Sequence, residues 1–457
     1  MNTYSSEEIN QIKQADLQYF LHPTSSIAIL EKKGPKIIVR GKGCKVYDIE
    51  GKEYIDGTSG LWFNSIGHGR SEIAQVAKEQ IETLETYHGF NEFSNIPAIN
   101  LAAKVAEMVP IKNSKVFFTS SGSEANDTIF KLVRFYWFAK EMDSKDYIIT
   151  RNLAYHGVTC GAVQATRLPK FHEGFDPLLP AFDMIDAPYC YLCPWKKEYP
   201  GCNLECAYSL EEKILELRPE NVGAFIAEPV MGTGGVIVPP PGYYQIIRDI
   251  CDKYNVLFIA DEVINAFGRT GGCLFGIEHW QGVTPDIMTI AKGITSGYVP
   301  LGAAVISDEI FQVIRSKEKF FHGFTYSAHA LACRVGLKNI EIIERENLKD
   351  NSKRMGERLI AGLSALNLAP IGEVRGKGLM VGIDLVSSRS IREKYQTSLA
   401  VRVVEIAYEY GLISRPLNGD IVQLSPALII SEAEVDKIVE ILGEAINKAY
   451  REKELIG

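Results

Sequence analysis

A lysine and an aspartate, each at the end of an apolar run, are the residues of this chain best placed to do chemistry. Asp261 follows the run 257–260, and Lys292 follows the run 287–291 and precedes Gly293. Partial burial lowers the pKa of a lysine and leaves a neutral amine, which can form an imine with an aldehyde. A carboxylate at the end of a core strand needs a cationic partner, and a protonated ring nitrogen would serve. The pair therefore predicts a site for pyridoxal phosphate.

Each of the two residues also has an ordinary explanation when it is taken alone. An isolated aspartate more often pairs with an arginine, here Arg269, or caps a helix. Most lysines are solvated and uninvolved, although the apolar run before Lys292 and the glycine after it disfavour that interpretation.

Small hydroxyl residues and a glycine lie between an apolar run and a helical segment. The segment 119–126 reads Thr-Ser-Ser-Gly-Ser-Glu-Ala-Asn and includes Ser121, Gly122 and Ser123. Exposed backbone N–H groups at a helix N-terminus favour a phosphate. An N-cap with a tight turn explains this segment alone equally well, because serine is common where helices begin.

Two further side chains follow apolar strands at the same kind of position. Tyr155, with His156 and a glycine after it, follows the strand near 147–150, and its ring can stack on a pyridine ring for about 0.5–1.5 kcal/mol beyond burial. Tyr155 is one of 21 tyrosines, so it would not stand out without the other motifs. Glu228 ends another strand, and its carboxylate either fixes the cofactor or the substrate or caps the next helix.

The elements that must position these residues alternate between helices and short apolar runs. Continuous hydrophobicity indicates strands that are covered on both faces, so we predict an α/β domain with a mostly parallel sheet covered by helices. Ligands of such sheets bind at the carboxyl ends of the strands. The runs are 116–118, 147–149, 224–227, 256–260, 287–290 and 303–306.

Three regions are predicted along the chain. Residues 1–65 hold a first helix, opened by a capping box from Ser5 to Glu8, and small antiparallel strands that pack with the small domain. Residues 66–330 form the large cofactor-binding domain. Residues 331–457 form a smaller α+β domain, with strands near 380–385 and Val422 and a closing helix after a second capping box from Ser431 to Glu434.

Composition and charge exclude several classes of partner. The 457 residues are 46% hydrophobic and 23% charged, and the net charge of -8 comes without a basic cluster. We therefore expect neither nucleic acid nor an anionic membrane as a partner. No apolar stretch approaches the ~18 residues of a spanning helix, and residues 1–13 lack the apolar core of a secretion signal, so the expected location is cytoplasmic.

Nine cysteines, an odd number, are expected to be reduced thiols rather than a disulfide framework. Four of them follow CxxC and CxxxC spacing with eight residues between the pairs. That spacing leaves a structural metal open, but it favours a packed loop of thiols, and we expect no metal there. The four are Cys190, Cys193, Cys202 and Cys206.

Taken together, these motifs resemble the class III aminotransferases of the fold-type I pyridoxal-phosphate family. Within that family the chain is similar to omega-amino-acid:pyruvate aminotransferases, and the segment around the four cysteines looks like an insertion of taurine:pyruvate aminotransferases. Each motif is weak alone, but their order and spacing over residues 61–428 are specific. They are Leu61-Trp62, Gly67-His68-Gly69, residues 121–124, 155–157, 228–229, 261–263, 267–271, 291–293, 323–327 and Arg415.

The resemblance implies a role for each of these residues. Lys292 would be joined to pyridoxal phosphate, Asp261 would contact the pyridine nitrogen, and Tyr155 and Val263 would cover the two ring faces. The remaining cofactor-binding residues would be Ser121, Gly122, Ser123, His156, Glu228 and, from the partner subunit of a homodimer, Thr325. Pairing of dimers into tetramers stays open.

The resemblance also implies a substrate pocket with Trp62, Phe90 and a mobile Arg415. A swinging guanidinium lets one pocket take an amine donor without an α-carboxylate and then a keto acid that has one. The ordinary alternative for Arg415 is a surface salt bridge. The chain has alanine where the family often has glycine or proline, at Ala266, Ala328 and Ala330, which affects the shape of the pocket more than its catalytic residues.

The predicted function is transamination from an omega-amino acid or primary amine to pyruvate or another keto acid, giving alanine. Taurine and β-alanine are candidate donors, and the sequence does not name the donor. Alternatives are an aminomutase, which Arg415 disfavours, a decarboxylase on the same scaffold, or a cofactor-binding protein without activity, which the catalytic set Lys292, Asp261 and Tyr155 disfavours.

Overall fold

The structure, a computed structural model, describes residues 4–175, 179–317 and 319–454. The helices are α1 (Ser6–Tyr19), α2 (Ile27–Lys33), α3 (Ser59–Trp62), α4 (Ser71–Leu84), α5 (Ile96–Met108), α6 (Gly122–Ala139), α7 (Ala162–Ala165), α8 (Glu205–Leu217), α9 (Tyr243–Tyr254), α10 (Asp308–Arg315), α11 (Ala330–Arg345), α12 (Leu348–Ala365), α13 (Leu399–Glu409) and α14 (Glu432–Glu454). The strands are β1 (Ile38–Lys42), β2 (Lys45–Asp48), β3 (Glu53–Asp56), β4 (Lys115–Thr119), β5 (Tyr147–Arg151), β6 (Phe182–Ile185), β7 (Val222–Ala227), β8 (Leu257–Asp261), β9 (Ile287–Ile290), β10 (Gly302–Ile306), β11 (Ile371–Lys377), β12 (Met380–Leu385), β13 (Leu412–Ile413), β14 (Arg415–Leu417) and β15 (Ile421–Leu424).

A central sheet of seven strands has the order β4-β10-β9-β8-β7-β5-β6. The last five strands of that order run parallel, and β10 runs antiparallel to both of its neighbours. The predicted fold class and all six predicted strands are confirmed. The edge strand β6 was missed, because its residues are only partly buried and form no continuous apolar run.

Alternate residues of the buried strands face two different layers of helices. In β7, Ala224 and Ile226 belong to the apolar cluster that contains Trp137 of α6. Phe225 and Ala227 belong to the cluster that contains α9. Because side chains alternate across a strand, helices on both faces explain why these strands are apolar at every position.

The two ends of the chain meet in a second region. Strand β13 pairs in parallel with β3, and Leu412 lies opposite Ile55. The other small sheet, β11-β12-β15-β14, is antiparallel. The N-terminal strands therefore share a sheet with the C-terminal part of the chain, while the boundaries at residues 65 and 330 stay a prediction.

Both capping boxes form as expected. Ser5 N–H donates to Glu8 Oε2 at 2.7 Å, and Ser431 N–H donates to Glu434 Oε2 at 2.9 Å. The apolar side chains along one face of α14 are buried. Phe20, which follows α1, is exposed in the single chain. Every helix in the described part of the chain is too short or too polar to span a bilayer.

Candidate active site

The carboxyl ends of the central strands surround a cavity of about 460 Å³. Asp261 closes β8 and lies opposite Thr289 of the adjacent parallel strand β9, so Asp261 and Lys292 emerge at the same edge. The residues that follow β4, β5 and β7 reach the same cavity. Of the residues singled out in the sequence, the cavity is lined by Trp62, Ser121, Gly122, Ser123, Tyr155, His156, Glu228, Asp261, Val263, Lys292 and Arg415.

The carboxylate of Asp261 is buried and accepts hydrogen bonds on both oxygens. Val263 N–H donates to Oδ1 at 3.0 Å, Asn126 Nδ2 donates to Oδ2 at 2.9 Å, and His156 Nδ1 lies 2.7 Å from Oδ2. Burial raises the pKa of Asp261, but the hydrogen bond and charge of His156, followed by Asn126, hold it below the usual value. Asp261 is therefore an anion that faces the cavity.

The alternative that Asp261 pairs with Arg269 is wrong. Arg269 is buried elsewhere and donates to three backbone carbonyl oxygens, of Leu379, Ser425 and Pro426. The partner of Asp261 is His156 instead of Arg269. The other ring nitrogen of His156, Nε2, is buried and has no hydrogen-bond partner among the described residues. Asn126 Nδ2 also donates to the backbone oxygen of His156 at 2.5 Å, which fixes the loop that carries the histidine.

Lys292 is half-buried at the wall of the cavity, so it is not the freely solvated lysine of the alternative interpretation. Burial, together with the positive charge of Arg415, lowers the pKa of Lys292 to about 8. The carboxylates of Asp261 and Glu228 oppose that shift. Its backbone is left-handed, with φ of 43°, a conformation that stores about 1–3 kcal/mol of strain in a residue other than glycine. The backbone is thus strained at the point where Lys292 lines the cavity.

Helix α6 begins at the cavity, with Ser121 as its N-cap. Ser121 Oγ accepts from Glu124 N–H at 3.2 Å, and Ser123 Oγ accepts from Val158 N–H at 3.2 Å. The N–H groups of Gly122 and Ser123 are in the first turn and lack intrahelical acceptors. The N-cap and phosphate interpretations are therefore compatible, because the serine hydroxyls organise a turn whose N–H groups stay available.

Gly122 is required for close packing at this helix start. A Cβ atom on Gly122 would lie 2.9 Å from Val263 Cγ1, closer than carbon atoms approach. Val263 is therefore pressed against the backbone of the helix N-terminus, and it lines the cavity together with Tyr155.

Glu228 holds the loop that carries Tyr155 and does not cap the next helix. Glu228 Oε2 accepts from Tyr155 N–H at 3.2 Å, and Oε1 accepts from Gly232 N–H at 3.0 Å. Burial raises the pKa of Glu228, while His156 and Arg151 oppose that shift. Arg151 is fully buried and donates to the backbone oxygen of Glu228 at 2.5 Å, so a cation lies directly behind this carboxylate.

Arg415, on β14, places a positively charged guanidinium at the cavity. It makes no ion pair with a carboxylate of the described residues, so the surface salt bridge is not formed. Burial lowers the pKa of Arg415, and interaction with Tyr155 opposes that shift. The Tyr155 ring packs edge-on against Phe171, with centroids 5.3 Å apart.

Phe90 and Thr325 do not line the cavity of the single chain. Both are exposed, and their segments touch, since a Cβ on Gly323 would lie 3.0 Å from the Phe90 ring. Their roles in the substrate pocket and across a subunit interface stay predictions.

Several residues at the cavity were missed in the sequence. Asn126 ends the hydroxyl-rich segment, and a polar residue on the buried face of a helix would have indicated it. Others lie in segments without a motif, so only tertiary structure reveals them. Examples are Thr24, Val158, Phe171 and Thr233.

The arrangement fits pyridoxal phosphate group by group. The buried amine of Lys292 matches an aldehyde, the anionic Asp261 matches a protonated ring nitrogen, and the start of α6 matches a phosphate. Tyr155 and Val263, which line the same cavity, match the two faces of an aromatic ring.

Comparison with known proteins gives the same assignment. The model of the class III aminotransferase family matches residues 29–446, and the chain belongs to that family. It is therefore an aminotransferase that uses pyridoxal phosphate.

Individual relatives cover nearly the whole chain. A putrescine–pyruvate aminotransferase of Pseudomonas aeruginosa is 39% identical over 433 residues, 94% of each protein. A thermostable (S)-enantioselective omega-transaminase from Thermomicrobium roseum is 40% identical, with a TM-score of 0.94, over 98% of this chain and 100% of that one. The omega-transaminase of Pseudomonas jessenii, solved in complex with PMP, is 40% identical, with a TM-score of 0.93, over 96% and 98%.

The lowered pKa of Lys292 predicts the pH dependence of cofactor attachment. Only the neutral amine reacts with an aldehyde, and the neutral form prevails above pH 8 instead of above 10.5. The rate at which pyridoxal phosphate attaches to cofactor-free protein should rise about tenfold per pH unit below 8 and then level off. Stopped-flow absorbance between pH 6 and 10.5 measures it, and a rate still rising tenfold per unit above pH 9 would contradict a buried amine.

Proposed function

We propose that this chain transfers the amino group of a primary amine or omega-amino acid to pyruvate or another keto acid, giving alanine. Taurine and β-alanine are the candidate donors. The observation that carries the proposal is a single cavity that holds the amine of Lys292, whose pKa is lowered, together with Arg415, a guanidinium without a carboxylate partner among the described residues. The names of the putrescine–pyruvate and omega-transaminase relatives support the same class of donor.

Each residue at the cofactor has a distinct task. Bound pyridoxal phosphate supplies an aldehyde and an electron-withdrawing ring. Lys292 would hold the cofactor through its amine, and Nζ, once free, would take the proton from the substrate carbon. Asp261 would keep the ring nitrogen protonated, because its own pKa is held low by His156 and Asn126. The first turn of α6 would bind the phosphate and so position the cofactor near Lys292.

Arg415 supplies the recognition of the keto acid. A partly desolvated guanidinium binds a carboxylate through two parallel hydrogen bonds. An amine donor without a carboxylate leaves the guanidinium of Arg415 unpaired. This is tolerated because Arg415 lies beside Tyr155 at the edge of the cavity. The alternation of substrates is therefore carried by one movable side chain, while the buried residues around Lys292 stay fixed.

A homodimer is part of the proposal. Phe321 is 81% exposed and Tyr326 is 65% exposed, and they flank Thr325 in the chain. Further exposed apolar side chains lie in the neighbouring segment, at Phe90, Phe93 and Ile96. Apolar surface of this extent indicates an interface, and a second copy would bring Thr325 to the phosphate end of the cavity.

A cytoplasmic location belongs to the same proposal. The nine cysteines are all free thiols, as expected for a reducing compartment.

The reaction is tested by its two halves. The visible absorbance of bound cofactor should bleach when a donor amine is added and return when pyruvate is added, with alanine formed in equal amount. Lys292→Ala should slow both halves by about 10²–10⁴-fold, because it removes the base that moves the proton. Lys78→Ala, a change of an exposed lysine on α4, is the matched control. Turnover without a keto acid, or release of CO₂, would indicate a mutase or decarboxylase instead.

Arg415→Met separates keto-acid recognition from the chemistry. Loss of a charged hydrogen-bonded pair worth about 1.5–3 kcal/mol should lower kcat/KM for pyruvate about 10–150-fold. The first half-reaction with a donor that has no carboxylate should stay within about threefold. An equal loss in both halves, measured by single-turnover kinetics, would mean that Arg415 supports the cofactor site and not the keto acid.

Subunit association is tested by Phe321→Glu, which places a charge in the exposed apolar surface. Sedimentation should show the parent protein at twice the chain mass of 50.8 kDa or higher, and the variant should shift towards one chain and lose affinity for pyridoxal phosphate. Ile391→Glu changes an equally exposed residue of the small-domain loop and should leave the mass unchanged. A monomeric, fully active parent protein would refute the dimer.

A further inference from the structure

Four cysteines surround a second, small cavity of about 20 Å³ that shares no residue with the active-site cavity. They are the CxxC and CxxxC pairs of the segment 190–206, to which the proposed function assigns no role. The cavity is also lined by Lys197 and Glu205.

The four thiols are free and close enough to influence one another. Burial raises the pKa of Cys190, and the neighbouring Cys202 and Cys193 raise it further. Burial also raises the pKa of Cys206 to about 12, with added effects of the other three cysteines. Cys190 is exposed at the surface and the other three are half-buried, so reagents in solution reach the cluster.

A cation lies beside the thiols. The ammonium of Lys197 interacts electrostatically with Cys202 and Cys193 and forms an ion pair with Glu205 at the start of α8. A nearby lysine favours the thiolate, which is the nucleophile in thiol–disulfide exchange. Cys202 is therefore a partly accessible thiol in a cavity that Lys197 also lines.

The loop that carries the cysteines is fastened at its start. Tyr189 O–H donates to the buried carboxylate of Asp384 on β12. Arg392 Nη1 donates to the backbone oxygen of Tyr191 at 2.6 Å. Because these anchors lie on both sides of Cys190, its thiol is held at the cavity instead of moving freely with a surface loop.

The arrangement favours pairwise chemistry over metal binding. Within the described ranges, no group of three or more His, Cys, Asp or Glu side chains is arranged to hold a metal ion, which needs several ligands at one point. A disulfide needs only two thiols that can approach each other. Cys190 and Cys202 both line the small cavity, and Cys202 is the cysteine with the largest effect on the pKa of Cys190.

We propose that this cluster is a site of reversible oxidative modification, at which a low-molecular-weight disulfide converts Cys190 and Cys202 into an intramolecular disulfide. The Cys202 thiolate attacks one sulfur of the reagent, which forms a mixed disulfide and releases one reagent thiolate. Cys190 then gives up its proton to water and attacks the Cys202 sulfur, which expels the second. Two protein thiols are oxidised, and one reagent disulfide is reduced to two thiols.

The test uses the intact holoenzyme, first incubated with oxidised or with reduced glutathione. Remaining thiols are alkylated, and peptides are mapped by mass spectrometry. Oxidised glutathione should lower the thiol count by two per chain at the cluster, with a Cys190–Cys202 cross-linked peptide that dithiothreitol removes. The exposed Cys160 lies outside the cluster and reports through its own adduct that the reagent has acted.

Variants separate the proposal from its alternatives. Cys190→Ser and Cys202→Ser should each abolish the cross-link, whereas Cys160→Ser and Cys273→Ser should leave it intact. Four free cluster thiols beside a modified Cys160 would overturn the proposal, as would a glutathione adduct on Cys202 that never resolves. Stoichiometric zinc in the purified protein, measured by elemental analysis and lost in both cluster variants, would show a metal site instead. These readouts do not depend on aminotransferase activity.

Discussion

The site depends on a buried carboxylate, Asp261, that stays ionised at the same cavity as the half-buried amine of Lys292. Taking either charge out of water is unfavourable alone, and burial pushes the pKa of Asp261 up and that of Lys292 down. Asp261 remains an anion because three donors, from His156, Asn126 and the backbone of Val263, converge on its two oxygens. The same burial lowers the pKa of Lys292 to about 8, so that the neutral amine prevails above that pH.

The sheet supplies the geometry that the charges require. Because β8 and β9 pair in parallel, the carboxyl ends of both strands lie at one edge of the sheet. The antiparallel strand β10 lies beside β4, so β4 ends at the same edge and α6 also begins there. A second carboxylate, Glu228, is kept at the same edge by two backbone donors, with Arg151 behind it. Buried residues thus surround this edge of the cavity, and Arg415, which also lines it, has no carboxylate partner in the described chain.

Some large apolar side chains of this protein lie outside its core. The side chains of the central strands and of α14 are buried, whereas large apolar residues near Phe90 and Thr325 stay exposed in the single chain. A protein with such a complete core does not need that surface for its own folding. In the proposed homodimer a second subunit would cover this surface, and that would account for the two predicted site residues that lie outside the cavity of one chain.

The sequence by itself determined the strands, because residues covered on both faces must be apolar at every position, and it determined Lys292 and Asp261, because charged residues at the ends of such strands need a reason to be there. It also determined both capping boxes, whose contacts span only three residues. Only the tertiary structure decided that His156 and Asn126, and not Arg269, hold Asp261, that Glu228 binds the Tyr155 loop, and that β6 pairs at the sheet edge. These contacts join residues up to 135 positions apart, so packing of the whole chain selects among several partners that local patterns allow equally.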